Sequence, residues 1–177
     1  DEVGRNMDAP TVSQMIYPIM QMVDIAQLNV DAAVGGIDQR KIHMLAREHL
    51  VSIGYPAPVC IHTPILNGLD GKKMSSSSGN YISVADSVEE IEKKCQKAFC
   101  PPECEENPLL QMFQYHIFPR LGTVIIKRPA KFGGDREFER FEDLQEAYRK
   151  GEIHPLDLKK AAGTYLADML SCVRDHV

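Results

Sequence analysis

Val30-Asp31-Ala32-Ala33-Val34-Gly35-Gly36 is a short apolar run that ends in two glycines, and Asp38 to Leu50 follows it with an acidic start and helical periodicity. A second apolar run, Pro58 to Thr63, comes next. Strand, Gly-Gly, helix and strand make a β-α-β unit, which predicts a parallel pair of strands with a right-handed crossover. Ligands of such sheets bind at the carboxyl ends of the strands. Gly35, Gly36 and Asp38 occupy one of those ends, and backbone without a Cβ lets a ligand come close. Tight β-α turns use glycine pairs as well, so the pair alone does not define a site.

Beyond the second strand lies Gly71-Lys72-Lys73-Met74-Ser75-Ser76-Ser77-Ser78-Gly79-Asn80. Two lysines and four hydroxyls form a cationic, donor-rich loop suited to a polyphosphate. If it closes as pyrophosphate charge develops, it stabilises the transition state more than the substrate. A flexible Ser/Gly linker is the alternative reading of the same letters. On the other side of the β-α-β unit, Met15, Ile16, Ile19, Met20, Val23 and Leu28 recur at helical spacing over Ser13–Leu28. Pro18 either sits in the first turn of that helix or kinks it. Tyr17, Gln21 and Asp24 fall at i, i+4 and i+7 on one face. Such a stripe is either a binding face or a solvated one.

Lys73-Met74-Ser75-Ser76-Ser77 matches the KMSSS signature of class I aminoacyl-tRNA synthetases. Together with Tyr17-Pro18-Ile19-Met20-Gln21, Asp24 and Val34-Gly35-Gly36-Ile37-Asp38-Gln39-Arg40-Lys41-Ile42-His43, it makes the chain resemble the archaeal/eukaryotic type of tyrosyl-tRNA synthetase from about Met15 onward. The resemblance implies that Tyr17, Gln21 and Gln39 hold the backbone end of the amino acid and that Asp24 bonds the substrate phenol. It implies Gly36 and Asp38 at the adenylate ribose, with Lys73 and Met74 also on ATP. Lys73, Ser75, Ser76 and Ser77 would then carry the catalytic charge stabilisation, and the substrate carboxylate itself would attack the α-phosphate. Ser78 stands where the family often has a further lysine. His43 and His62 flank the expected site. A tryptophanyl relative shares the scaffold, but the Tyr17/Gln21/Asp24 face suits tyrosine better.

The rest of the chain reads as helices near 86–99, 108–119, 143–150 and 154–173, with short strands at 123–127 and 136–141 around Phe132-Gly133-Gly134-Asp135. Asp86 or Ser87 caps the first of these helices, and Gly151 closes the third. Phe132 lies among Lys127, Arg128 and Lys131, the combination that stacks an unpaired base while cations hold phosphates. A hairpin-turn Phe that caps the local core is the plainer reading. The family resemblance implies that Phe132 and His154 sandwich the first anticodon base, that Asp157 bonds its edge, and that Pro155 shapes the turn.

The expected fold is therefore α/β. Residues 1–85 form the second half of a Rossmann-like class I catalytic domain, and 86–177 form a mainly helical anticodon-binding domain with a small β-hairpin. No His-Ile-Gly-His-like string is present, and Asp1-Glu2-Val3-Gly4-Arg5 reads as a cut end. The missing half should cover an edge and an apolar face of the sheet, so the fragment alone is expected to form no adenylate.

With 44% hydrophobic and 25% charged residues, the composition is that of an ordinary globular protein. The net charge of −5 excludes recognition of nucleic acid by global field and leaves that task to a local patch. Five cysteines without a secretion signal suggest reduced thiols in the cytoplasm. Cys95, Cys100 and Cys104 cluster but lack zinc-type CxxC spacing, and they read as buried or capping thiols rather than a metal site. The implied substrates are tyrosine, ATP with Mg2+ and tRNA(Tyr), in a homodimer away from membranes. A non-catalytic RNA-binding or signalling module is the competing reading.

Overall fold

The computed structural model describes residues 11–102, 106–174 and 176. The chain separates into two compact units, one ending at Ile65 and the next beginning at Leu66. The lysine-serine loop therefore belongs to the second unit, with the helices that follow it.

The first unit opens with α1 (Val12–Gln27), capped by Thr11, whose hydroxyl accepts the Gln14 N–H while the Gln14 side chain returns to the Thr11 N–H. This reciprocal capping box satisfies two otherwise orphaned donors. Pro18 lies inside the helix, past its first turn, and has no N–H to offer the carbonyl of Gln14. Next come β1 (Ala32–Gly36), a 3₁₀ turn (Ile37–Gln39), α2 (Arg40–Leu50) and β2 (Val59–Thr63). The strands are parallel, with Gly35 opposite His62 and Gly36 opposite Thr63.

Alternation along the strands turns Ala33, Cys60 and His62 toward cover and leaves Val34, Val59 and Ile61 exposed. On α2, Ile42, His43, Ala46 and Leu50 are buried at helical spacing. Helix α1 buries no residue, and Met15, Ile16, Ile19, Met20 and Val23 are all exposed. Its apolar stripe is thus real, but nothing among the described residues covers it.

The second unit contains α3 (Val88–Lys97), α4 (Pro108–Met112), a π-helical turn (Phe113–Ile117) and α5 (Phe118–Leu121). An antiparallel pair, β3 (Val124–Ile126) and β4 (Arg136–Phe138), then leads to α6 (Phe141–Arg149), α7 (Pro155–Met169) and α8 (Ser171–Arg174). Ser87 caps α3 in a second capping box with Glu90. The expected helix over 108–119 is interrupted by the π turn, and the expected last helix breaks at Leu170. One apolar cluster holds the unit together, with Ile91, Leu109, Phe113, Ile117, Leu144 and Leu158 fully buried. Gly163 lets α7 approach α3, because a Cβ there would lie 3.2 Å from the Glu92 Cα. Among the described residues no helix is long and apolar enough to cross a membrane.

Candidate functional site

At the carboxyl end of β1 the sequence folds back at once into the 3₁₀ turn, which brings Asp38 and Gln39 over the two glycines. A Cβ on Gly36 would stand 2.7 Å from an Asp38 carboxylate oxygen, and one on Gly35 would stand 3.2 Å from Gln39 Cγ and 3.3 Å from His43 Cε1. Gly36 has ordinary extended backbone, so a side chain there would crowd only the Asp38 carboxylate, which would have to turn aside. Gln21 Nε2 donates to Gln39 Oε1 at 3.3 Å, so two amides 18 residues apart in sequence meet at this strand end. Tyr17 and Asp24 share the Gln21 face of α1 by spacing, and both are exposed.

Behind the glycines, His43 Nδ1 and His62 Nε2 are 3.1 Å apart, one donating to the other. Burial of His43, then the charge His62 would carry, hold the His43 imidazole below its usual range. Sequence reading noticed these histidines only as flanking residues. Their spacing, one on a helix and one on a strand, gave no signal that they pair.

In the second unit the lysine-serine loop has a defined conformation. Asn80, 7% exposed, is its organiser. Asn80 Nδ2 donates to Asp70 Oδ1 at 2.8 Å and to the Lys73 carbonyl at 3.2 Å, while Asn80 Oδ1 accepts the Ser75 N–H at 2.9 Å. Its backbone carbonyl also receives the Leu69 N–H at 2.8 Å. Gly68 must be glycine, since a Cβ there would lie 2.1 Å from Asn80 Nδ2. The Asn80 amide, then the Lys72 N–H, hold the Asp70 carboxyl below the usual carboxylate range. Met74 packs against the core cluster, and Ser75 and Ser77 share a hydroxyl-hydroxyl bond at 2.7 Å. Lys72, Lys73, Ser76, Ser77 and Ser78 are exposed. The result is a ledge of cations and hydroxyls on a tethered base, able to oppose phosphate oxygens.

Phe132 ends a 3₁₀ turn in the β3–β4 connection and is 61% exposed, with Lys131 Nζ 4.9 Å from its ring centre. Arg128, expected among the free cations, is instead a strut. Its Nε donates to the Gly134 carbonyl at 2.9 Å and its Nη1 to the Glu152 carbonyl at 2.6 Å, while its N–H reaches Asp135. Arg136 pairs with the Glu152 carboxylate. Both arginines thus tie the hairpin to the segment leading into α7. There His154 is the N-cap, its Nδ1 accepting the Leu156 N–H at 3.2 Å. In the neutral ring that leaves Nε2–H as an outward donor. Pro155 takes the first helical position, and Asp157 lies in the first turn.

Of the clustered thiols, Cys95 is fully buried and burial pushes it up to about 12. Cys100 Sγ lies 3.2 Å from the Tyr148 hydroxyl. Cys104 lies outside the described residues. Among the described residues no group of three His, Cys, Asp or Glu side chains could hold a metal ion.

A KMSSS loop following a parallel β-α-β unit in the chain defines a class of protein. The chain belongs to the tRNA synthetases of class I (W and Y), whose family description matches residues 1–171. Its 177 residues are 75% identical to the tyrosine--tRNA ligase of Methanoculleus marisnigri and span 56% of that protein. The crystal structure of the Archaeoglobus fulgidus tyrosyl-tRNA synthetase complexed with L-tyrosine matches 99% of the chain at 60% identity, with a TM-score of 0.87 over 55% of its own length. The tryptophanyl-tRNA synthetase of Aeropyrum pernix matches at 20% identity with a TM-score of 0.68, a likeness of fold alone. The chain spans about half the length of the curated relatives it matches.

Proposed function

We propose that the chain is part of a tyrosine--tRNA ligase, which forms tyrosyl-adenylate and pyrophosphate from tyrosine and ATP and passes tyrosine to tRNA(Tyr). The observation that carries this reading is the meeting of Gln21 and Gln39 at the carboxyl end of β1, beside Gly36 and Asp38. Paired amides present the donors and acceptors that orient an amino acid's ammonium and carboxylate. Tyr17 adds a phenol to that end, and Asp24, one helical turn beyond Gln21, is the partner for a substrate phenol. Gly36 and Asp38 take the ribose. Lys73, with Met74 placing it and Ser75, Ser76 and Ser77 beside it, takes the phosphates. ATP enters with Mg2+ as substrate, and the ion offsets phosphate charge.

Residues to about 85 act as catalytic fold and those from 86 as the anticodon-binding part. Phe132, His154, Pro155 and Asp157 hold the first anticodon base. The complete enzyme works in the cytoplasm as a homodimer.

Two experiments on the full-length protein test this. Tyrosine-dependent ATP–pyrophosphate exchange should fall about 10²–10³-fold in Lys73→Ala with little change in tyrosine affinity, the size of losing one transition-state charge partner. Exchange driven by tryptophan instead of tyrosine would overturn the specificity. Phe132→Ala and His154→Ala should lower aminoacylation and spare tyrosine activation; equal loss of both steps refutes the anticodon placement.

A further inference from the structure

The second unit holds a cavity of about 210 Å³ between β3 and α7, lined by Ile125, Lys127, Lys160, Ala161, Thr164 and Tyr165. Its floor is rigid. The Tyr165 hydroxyl accepts the Ile125 N–H at 2.8 Å and donates to the Ile125 carbonyl at 3.1 Å. That pairing also satisfies backbone groups of β3 at its centre, the residue opposite Glu137 of β4. Two exposed ammonium groups stand at the cavity, and neither Lys127 nor Lys160 has an ion pair through its side chain among the described residues. In a chain of net charge −5, two exposed cations beside an apolar pocket give this spot a local positive charge. An aromatic body in the pocket with an anion at its mouth is the ligand such a site fits.

The position on α7 narrows the ligand further. Asp157, Lys160, Ala161 and Thr164 follow each other at i, i+3, i+4 and i+7, on one stripe of the helix. Three to seven residues along a helix are ~4.5–10 Å, or roughly one to three nucleotide steps of about 3.4 Å. Lys127 also adjoins the strut Arg128 that anchors the Phe132 turn.

We propose that this cavity takes a second nucleotide of the bound RNA. The base lies against Tyr165, Ile125 and Ala161, and its phosphate sits between Lys127 and Lys160. The inference rests on the anticodon-binding reading above, and it concerns a nucleotide flanking the base assigned to Phe132 and His154.

The test uses the full-length protein and a tRNA(Tyr) anticodon stem-loop, with affinity read by fluorescence anisotropy at several salt concentrations. Thr164→Trp fills the cavity from an exposed position without altering charge. It should weaken binding about tenfold and leave the salt slope unchanged, whereas Lys160→Ala should flatten that slope by about 0.7–0.9. Stem-loops with one abasic nucleotide at a time should lose affinity at one flanking position, and Thr164→Trp should erase that loss. Phe132→Ala reports separately on the anticodon reading. Weakening by Phe132→Ala with Thr164→Trp and Lys160→Ala both silent overturns the cavity proposal alone. Failure of the unaltered protein to bind the stem-loop, or silence of all three variants, overturns both.

Discussion

The two units spend their apolar residues in opposite ways. From Leu66 onward the large aliphatic and aromatic side chains converge on one closed cluster, and even Asn107 is buried with its bonds made to Leu109, Leu110 and Pro101. Before Ile65 the buried set is short, while Met20, Val34, Val59 and Ile61 are between half and two-thirds exposed. Periodicity is equally good in both regions. Periodicity therefore tells which residues form a face, and only the surrounding chain tells whether the face is covered. For function the difference means that the lysine-serine ledge and the Phe132/His154 region sit on a closed apolar core. The amide pair at the end of β1 rests on a two-stranded sheet with one open face.

The largest expected effect sharpens that contrast directly. Ile91→Ala should destabilise the second unit by about 3 kcal/mol, through lost transfer energy and a residual cavity. Val34→Ala, at an already wet position, should cost less than about 1 kcal/mol. Urea unfolding of the chain measures both, and equal costs would show that the open face is covered in solution. Next in size, Asn80→Ala removes three side-chain bonds from the loop and should loosen it locally by about 2 kcal/mol. Exchange of the Ser75 amide should then speed up about 30-fold, if it opens by local unfolding. An unchanged rate would mean that Met74 packing, rather than Asn80, sets the loop's shape.

Much of this was legible from the chain alone. The β-α-β unit, the Ser87 cap, the hairpin and the glycine after α6 each follow from local signals, and each formed near its expected place. What escaped has physical reasons. Four serines and a glycine look like a linker, because the residue that orders them, Asn80, acts through bonds that reach back ten and seven residues to Asp70 and Lys73. Charge next to an aromatic suggested that Arg128 was free, but the Gly134 carbonyl across the turn and the Glu152 carbonyl 24 residues on claim it. The π turn at Phe113–Ile117 adds a residue to one turn without disturbing the apolar pattern. The Thr11 cap was hidden in a polar stretch with no period. For the site, residue types marked Gln21 and Gln39, yet only the fold brings their amides together.

The smallest effect expected is a pH dependence confined to the first unit. His43 is buried against His62, and its neutral ring is the form the fold favours, by burial first and by the neighbouring imidazole second. The unfolded chain therefore binds a proton at higher pH than the folded one. Stability from this group is complete above about pH 6.5 and is lost progressively as pH falls from there toward the lowered folded value. One titrating group changes stability by at most about 1.4 kcal/mol per pH unit, so the slope is shallow, but its place is specific. Amide exchange in β1 and α2 should rise between pH 6.5 and 5 while exchange in α3 and α7 holds steady after correction for intrinsic rates. His43→Gln should flatten the response in the first unit. A response of equal size in both units would assign the effect to overall charge and not to the His43–His62 pair.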